Sequence, residues 1–252
     1  MKIKQTTLLL VALINLFSFQ LLAQTTNQPI QLESLLEQYS KEYYVLNPLQ
    51  ATEAGINDYN DQLEITISEE YIKKAKALNQ KYLSQLAVIN KAGLTASELL
   101  SIDVLTYKLK SENERLNNSL GFYRPVDQFV FSFSTRFATL GSGAGSIPFN
   151  TEKDYRNFIS RMKGFQTWVD QAIANMKKGV AQNNTNPKAA MEKVPPQLKP
   201  LFESAVEENV FYKPLLKLPT GLDSDAAIQL KKDYTDAIET IIKPAYKKLH
   251  DY

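Results

Sequence analysis

The feature that most constrains this chain is an apolar stripe at helical spacing. Phe158, Met162, Phe165, Val169, Ala172, Ile173 and Met176 recur every three or four residues, which puts them on one face of an α-helix. Thr151 stands where an N-cap belongs, and Gly179 supplies a stop. The spacing predicts a helix from Thr151 to about Lys178 whose stripe must be buried by neighbouring elements.

The same period runs through the rest of the chain. Leu32, Leu35, Leu36, Tyr39, Tyr43 and Leu46 form one stripe, ended by Pro48, and 47–60 reads as a loop rich in Pro, Gly and Asn-Asp. Ser68 can cap a second helix that buries Ile72, Ala75, Leu78, Tyr82, Leu86 and Ile89, closed by Lys91-Ala92-Gly93. Thr95 with Glu98 makes a capping box for a third helix, with Leu99, Ile102, Leu105 and Leu109 inward and 121–125 as its end. The alternation from Phe129 to Phe137 fits a short strand or an aromatic-rich irregular segment, broken by the glycines at 141, 143 and 145. Asn186-Pro187 fits a helix start, and Pro195, Pro196 and Pro200 force short pieces. Ser224 can open a last helix lined by Ala227, Leu230, Tyr234, Ala237, Ile241, Ala245 and Leu249, with a kink at Pro244. The expected fold is all-α: a multi-helix array of long amphipathic helices with irregular connecting segments.

Residues 1–23 have a different character. Lys2 and Lys4 precede the apolar run from Leu8 to Leu22, and Ala23 offers a small residue before polar Gln24. A basic start, an apolar middle and a small residue at the cut describe a secretory signal peptide. The run is interrupted by Asn15, Ser18 and Gln20, unlike a spanning helix. Residues 24–252 then form one helical domain. Cleavage removes Lys2 and Lys4 and leaves basic and acidic residues equal in number. The expectation is an exported, periplasmic or secreted, soluble protein. Without a cysteine after the run, it is expected not to be a lipoprotein, and not to associate with a membrane after cleavage.

The absence of cysteine excludes disulfides, thiolate zinc sites and iron–sulfur clusters, and the one histidine excludes a site needing two imidazoles from this chain. The small net charge argues against nucleic-acid binding. The glycine loop at 141–145 lacks the Lys-Ser/Thr of a phosphate loop. Ser142 lacks the nucleophile-elbow pattern, and the only histidine is far away. Glu69-Glu70, Glu112/Glu114 and Glu207-Glu208 read as solvated surface. His250, beside Lys247 and Lys248, reads as a surface residue. These readings expect no catalytic, metal or cofactor residue in this chain. Aromatic rings beside Arg124 and Arg136 suit a peptide or sugar cleft, with core packing as the competing reading. The candidate cleft-lining residues are Arg124, Gln128, Phe131, Arg136 and Tyr155.

Three stretches carry a resemblance. They are Asn47-Pro48-Leu49-Gln50-Ala51-Thr52-Glu53-Ala54-Gly55 with Tyr59; Asp154-Tyr155, Phe158, Arg161, Asp170-Gln171, Gly179 and Pro187-Lys188; and Ile242-Lys243-Pro244-Ala245-Tyr246-Lys247-Lys248-Leu249. Together they resemble the N-terminal part of the bacterial domain of unknown function 885 family. The resemblance implies a helical, often exported protein grouped with zinc metallopeptidases of the HExxH type, whose motif lies in the family's C-terminal half. No HExxH occurs in this sequence. The resemblance therefore implies a chain cut before the catalytic half: one wall of a substrate cleft, inactive alone, with zinc belonging only to the missing half. Its partners would be that half or a peptide-like ligand. On that expectation Ile238, Ile241, Ile242 and Tyr246 should be under-buried. The alternative is a free-standing, non-catalytic helical binding module of the periplasm.

Overall fold

A computed structural model describes residues 28–118, 120–129 and 132–252. The expected signal peptide lies outside the described residues. No described helix is long and apolar enough to cross a membrane.

The described residues are helical and contain no strand. In chain order the helices are α1 (Gln28–Leu46), α2 (Pro48–Glu53), α3 (Glu69–Ala87), α4 (Ala96–Asn117), α5 (Leu120–Tyr123), α6 (Phe133–Gly141) and α7 (Glu152–Ala181). The short α8 (Lys188–Met191), α9 (Val194–Leu198) and α10 (Pro200–Glu203) follow, then two 3₁₀ turns, Val206–Glu208 and Val210–Leu216. The chain continues through α11 (Ser224–Ala237), a π-helical segment (Ile238–Ile242) and α12 (Lys243–Asp251). They form two compact units. One holds the described residues up to Tyr43 with Lys76–Arg115; the other holds Tyr44–Ala75 and Leu116–Tyr252.

In the smaller unit, Leu32 and Tyr39 of α1 pack with Tyr82 and Leu86 of α3 and with Ile102, Leu105 and Leu109 of α4. Tyr39 meets Tyr82 edge to face at 5.1 Å, the arrangement favoured by the ring quadrupoles. The Thr95–Glu98 box forms as expected: the Thr95 N–H donates to Glu98 at 2.7 Å and the Glu98 N–H to the Thr95 hydroxyl at 3.3 Å.

The larger unit is built on α7, which opens on the Thr151–Asp154 capping box. Its inward stripe is buried, and Phe137 of α6 stacks on Phe165 at 4.4 Å and on Phe158 at 5.5 Å. Tyr246 of α12 closes on Phe165 at 4.8 Å. The strand reading of 129–137 is thus corrected. Residues 133–141 are a helix, and Phe133 and Phe137 enter the core. Ser134 is 1% exposed, so this face is set by close packing, not by a two-residue alternation. Gly141 ends α6 where a Cβ would stand 2.3 Å from the Phe211 ring, which no larger residue could accept.

Two further expectations change. The loop at 47–60 contains α2, started by Pro48, whose missing N–H costs nothing in a first turn. The under-burial of 238–246 is not observed: Ile238, Ile242 and Tyr246 are fully buried and Ile241 is partly so. Pro244 has no N–H to give the carbonyl four residues back. The turn before it widens to π geometry, with the Lys243 N–H bonded to the Ile238 carbonyl.

Candidate functional site

The larger unit buries a charge on the apolar face of its central helix. Arg161 lies three residues after Phe158 and four before Phe165, so the period of α7 turns it inward, and it is 1% exposed. The segment 47–64 wraps around it. Nε donates to the Gln62 carbonyl at 2.9 Å, and Nη2 donates to the Thr52 hydroxyl at 2.6 Å. Nη2 also reaches the carbonyls of Tyr59 at 3.3 Å and Pro48 at 3.4 Å. Nη1 is buried and has no hydrogen-bond partner among the described residues. Burial pulls the Arg161 pKa down to about 10, opposed by the charges of Glu64, Asp61 and Glu53.

A polar chain extends from this guanidinium. With its oxygen accepting from Arg161, the Thr52 hydroxyl donates to Asn60 Oδ1 at 2.6 Å, and Asn60 Nδ2 donates to Asn57 Oδ1 at 2.9 Å. Tyr71 donates its hydroxyl to Asn47 Oδ1 at 2.6 Å. Arg136 pairs with Glu53. The segment that reads as a loop in sequence is therefore pinned at many points, and Arg161 is its anchor.

Beside it is a cavity of about 260 Å³. Its walls include Leu46, Leu63, Ile65 and Tyr71, together with Glu64 and the Glu70–Lys74 pair. Lys74 Nζ is 2.6 Å from Glu70 Oε1. Glu64 Oε2 accepts the Leu49 N–H at 3.1 Å. Burial raises the Glu64 pKa, against the opposing pull of its own amide, the Leu49 amide, Arg161 and Arg136. Among the described residues no side-chain cation lies within ion-pair distance of Glu64.

The five candidate cleft residues do not converge here. Tyr155 is fully buried, with its hydroxyl donating to the carbonyls of Pro214 at 2.8 Å and Lys217 at 3.2 Å; it is placed as a core residue. Arg136 is partly exposed in its pair with Glu53. Gln128 accepts Gln197 Nε2 at its backbone carbonyl, 3.0 Å away, and Arg124 is partly buried. Phe131 lies outside the described residues. Neither this cavity nor that between Leu32 and Ser101 in the smaller unit is lined by any of the four described candidates.

The donor set does not fit a catalytic zinc ion. Among the described residues no three His, Cys, Asp or Glu side chains come together in a way that could hold a metal. His250 Nδ1 is 3.0 Å from Asp251 Oδ1, and its ring packs against Phe202.

Sequence comparison matches residues 48–252 to the model of a bacterial protein family of unknown function, DUF885. The chain belongs to this family. No curated protein matches. A crystal structure described as that of "the putative lipoprotein from Colwellia psychrerythraea" is similar in fold to this DUF885 chain, with a TM-score of 0.72 at 18% identity. The match covers 89% of this chain and 40% of that one, so this DUF885 chain corresponds to about two fifths of the solved relative. That description overturns the expectation of a soluble protein that is not a lipoprotein. The expectation rested on a missing cysteine after the Leu8–Leu22 run, and an absence in one stretch of sequence is no argument for a soluble protein.

The site missed from sequence centres on Arg161 and Glu64. The signal for Arg161 was present: a charge in phase with Phe158 and Phe165. Glu64 carries no such mark, because its burial depends on how 47–64 closes.

Proposed function

We propose that this DUF885 chain supplies a substrate-binding wall of a metallopeptidase-like protein and leaves bond cleavage to residues outside the chain. The observation that carries this reading is the cavity at Glu64, a carboxyl with no ion-pair partner among the described residues, set between aliphatic and polar side chains on a segment clamped on Arg161. Convergent polar groups beside aliphatic side chains in one concavity are what a ligand site needs to orient and bury a ligand. The grouping with zinc metallopeptidases that the sequence resemblance implies supplies the peptide as the proposed ligand class. The solved relative's longer chain is consistent with a catalytic portion beyond the matched part.

The test is a titration of the purified chain with short peptides, followed by amide NMR, alongside a hydrolysis assay with added zinc. Saturable shifts at Leu49 and Glu64 without chelator-sensitive turnover are expected. Robust turnover, or peptides that leave those amides unmoved, overturns the reading.

The alternative, a non-catalytic module that binds another protein, has one observation in its favour. Leu100, Val104 and Tyr107 follow one face of α4 and are 62%, 58% and 75% exposed.

A further inference from the structure

The cavity at Glu64 has a chemistry more specific than its volume. Among the described residues its carboxylate receives N–H donors only from the backbone, its own amide and that of Leu49. The cation on the wall, Lys74, is already engaged by Glu70 at 2.6 Å. Arg161 and Arg136 act on Glu64 through space, but neither is within ion-pair distance of it: Arg161 directs Nε to Gln62 and Nη2 to Thr52, and Arg136 pairs with Glu53. A carboxylate taken out of water without a paired cation is costly, and the cost is recovered by a ligand that brings the missing charge. The walls around it are aliphatic at Leu46, Leu63 and Ile65. About 260 Å³ falls below the range of drug-sized sites, which suits a body the size of one amino-acid residue.

We infer that this cavity binds a primary ammonium group carried on a short apolar body, with Glu64 as its counter-ion. The inference rests on the reading of this cavity as a ligand site and goes beyond it by naming what the ligand must carry. Two sources share that chemistry, the N-terminus of a peptide with an apolar first residue and a simple alkylamine.

The experiment uses the full chain and three probes: leucinamide, N-acetyl-leucinamide and n-butylamine, each titrated by calorimetry and amide NMR. Leucinamide is expected to shift the Leu49 and Glu64 amides and to bind at least about tenfold tighter than its acetylated form, a factor that corresponds to roughly 1.4 kcal/mol. Binding by butylamine as tight as by leucinamide assigns the site to alkylamines; weaker binding assigns it to peptide N-termini. Glu64→Gln should lower leucinamide affinity about tenfold, and a melting curve shows whether that variant is folded. Equal binding of leucinamide and its acetylated form overturns the ammonium assignment while leaving the cavity a ligand site. Failure of all three probes and of the peptides to move those amides overturns both.

Discussion

Arg161 Nη2 donates to the Thr52 hydroxyl across 2.6 Å, joining residues 109 apart in sequence. The contact ties the central helix to the segment that shapes the cavity, and both groups are buried. Thr52→Val keeps the side-chain shape and removes the acceptor. It should cost about 1–3 kcal/mol, because a buried guanidinium N–H loses its shortest partner. Arg161→Lys keeps the charge but cannot reach Gln62 and Thr52 together, and should cost roughly 3 kcal/mol or more. Urea unfolding of both variants checks the order, read as a fall in midpoint at unchanged slope.

Glu64 should weaken the protein at neutral pH. Its folded pKa is raised by burial, so the stabilising contribution is the protonated one. That contribution is fully present below the unfolded glutamate pKa and is lost as pH rises through the higher folded value. Glu64→Gln mimics the neutral form and can still accept the Leu49 N–H. It should melt higher than the parent chain near pH 7, with the difference shrinking toward pH 4. A melting difference that grows on acidification contradicts the assignment.

The helices were legible where local chemistry and burial agree. The Thr95–Glu98 and Thr151 caps and the Phe158–Met176 stripe combine a terminus signal with a 3.6-residue period, and both survive in the fold. The segment from Phe133 was misread because its aromatic and small residues alternate for a tertiary reason: Ser134 must be small where α6 packs closely, and Phe137 must fill the space between Phe158 and Phe165. Pro244 was legible as a disturbance, but sequence does not say that it is absorbed as a π turn, not as a break. The candidate cleft residues were chosen for arginine and aromatic content. Tyr155 instead spends its hydroxyl on Pro214 and Lys217 in the core. The Glu64 cavity depends on the folding of 47–64, a long-range arrangement that no local period encodes.

Gly141→Ala tests the closure of α6 on the Phe211 ring. An added Cβ would lie 2.3 Å from two atoms of that ring and 2.9 Å from the Phe158 ring. Both rings are fully buried, so neither can swing away freely. Overpacking of this kind costs typically about 1–3 kcal/mol, against the roughly 1 kcal/mol at most that alanine gains over glycine in a helix. Thermal unfolding should show a clear loss, and a neutral or stabilised variant would mean that the Phe211 turn yields easily.

Tyr246→Phe isolates one polar contact within the family-like Pro-Ala-Tyr stretch. Tyr246 is fully buried, and its hydroxyl donates to the Ser134 carbonyl of α6 at 2.7 Å. Burial also pushes its pKa well above the ordinary value. Phenylalanine keeps the packing against Phe165 and Phe211 and deletes only the donor. The expected loss is about 1–1.5 kcal/mol, the net worth of a buried hydrogen bond. Alanine at the same position should cost about 3–5 kcal/mol, because it also opens a ring-sized cavity in the aromatic cluster. Denaturant unfolding of the two variants separates the contributions. A Phe variant as damaged as the Ala variant would show that the hydroxyl, and not the ring, holds α12 to α6.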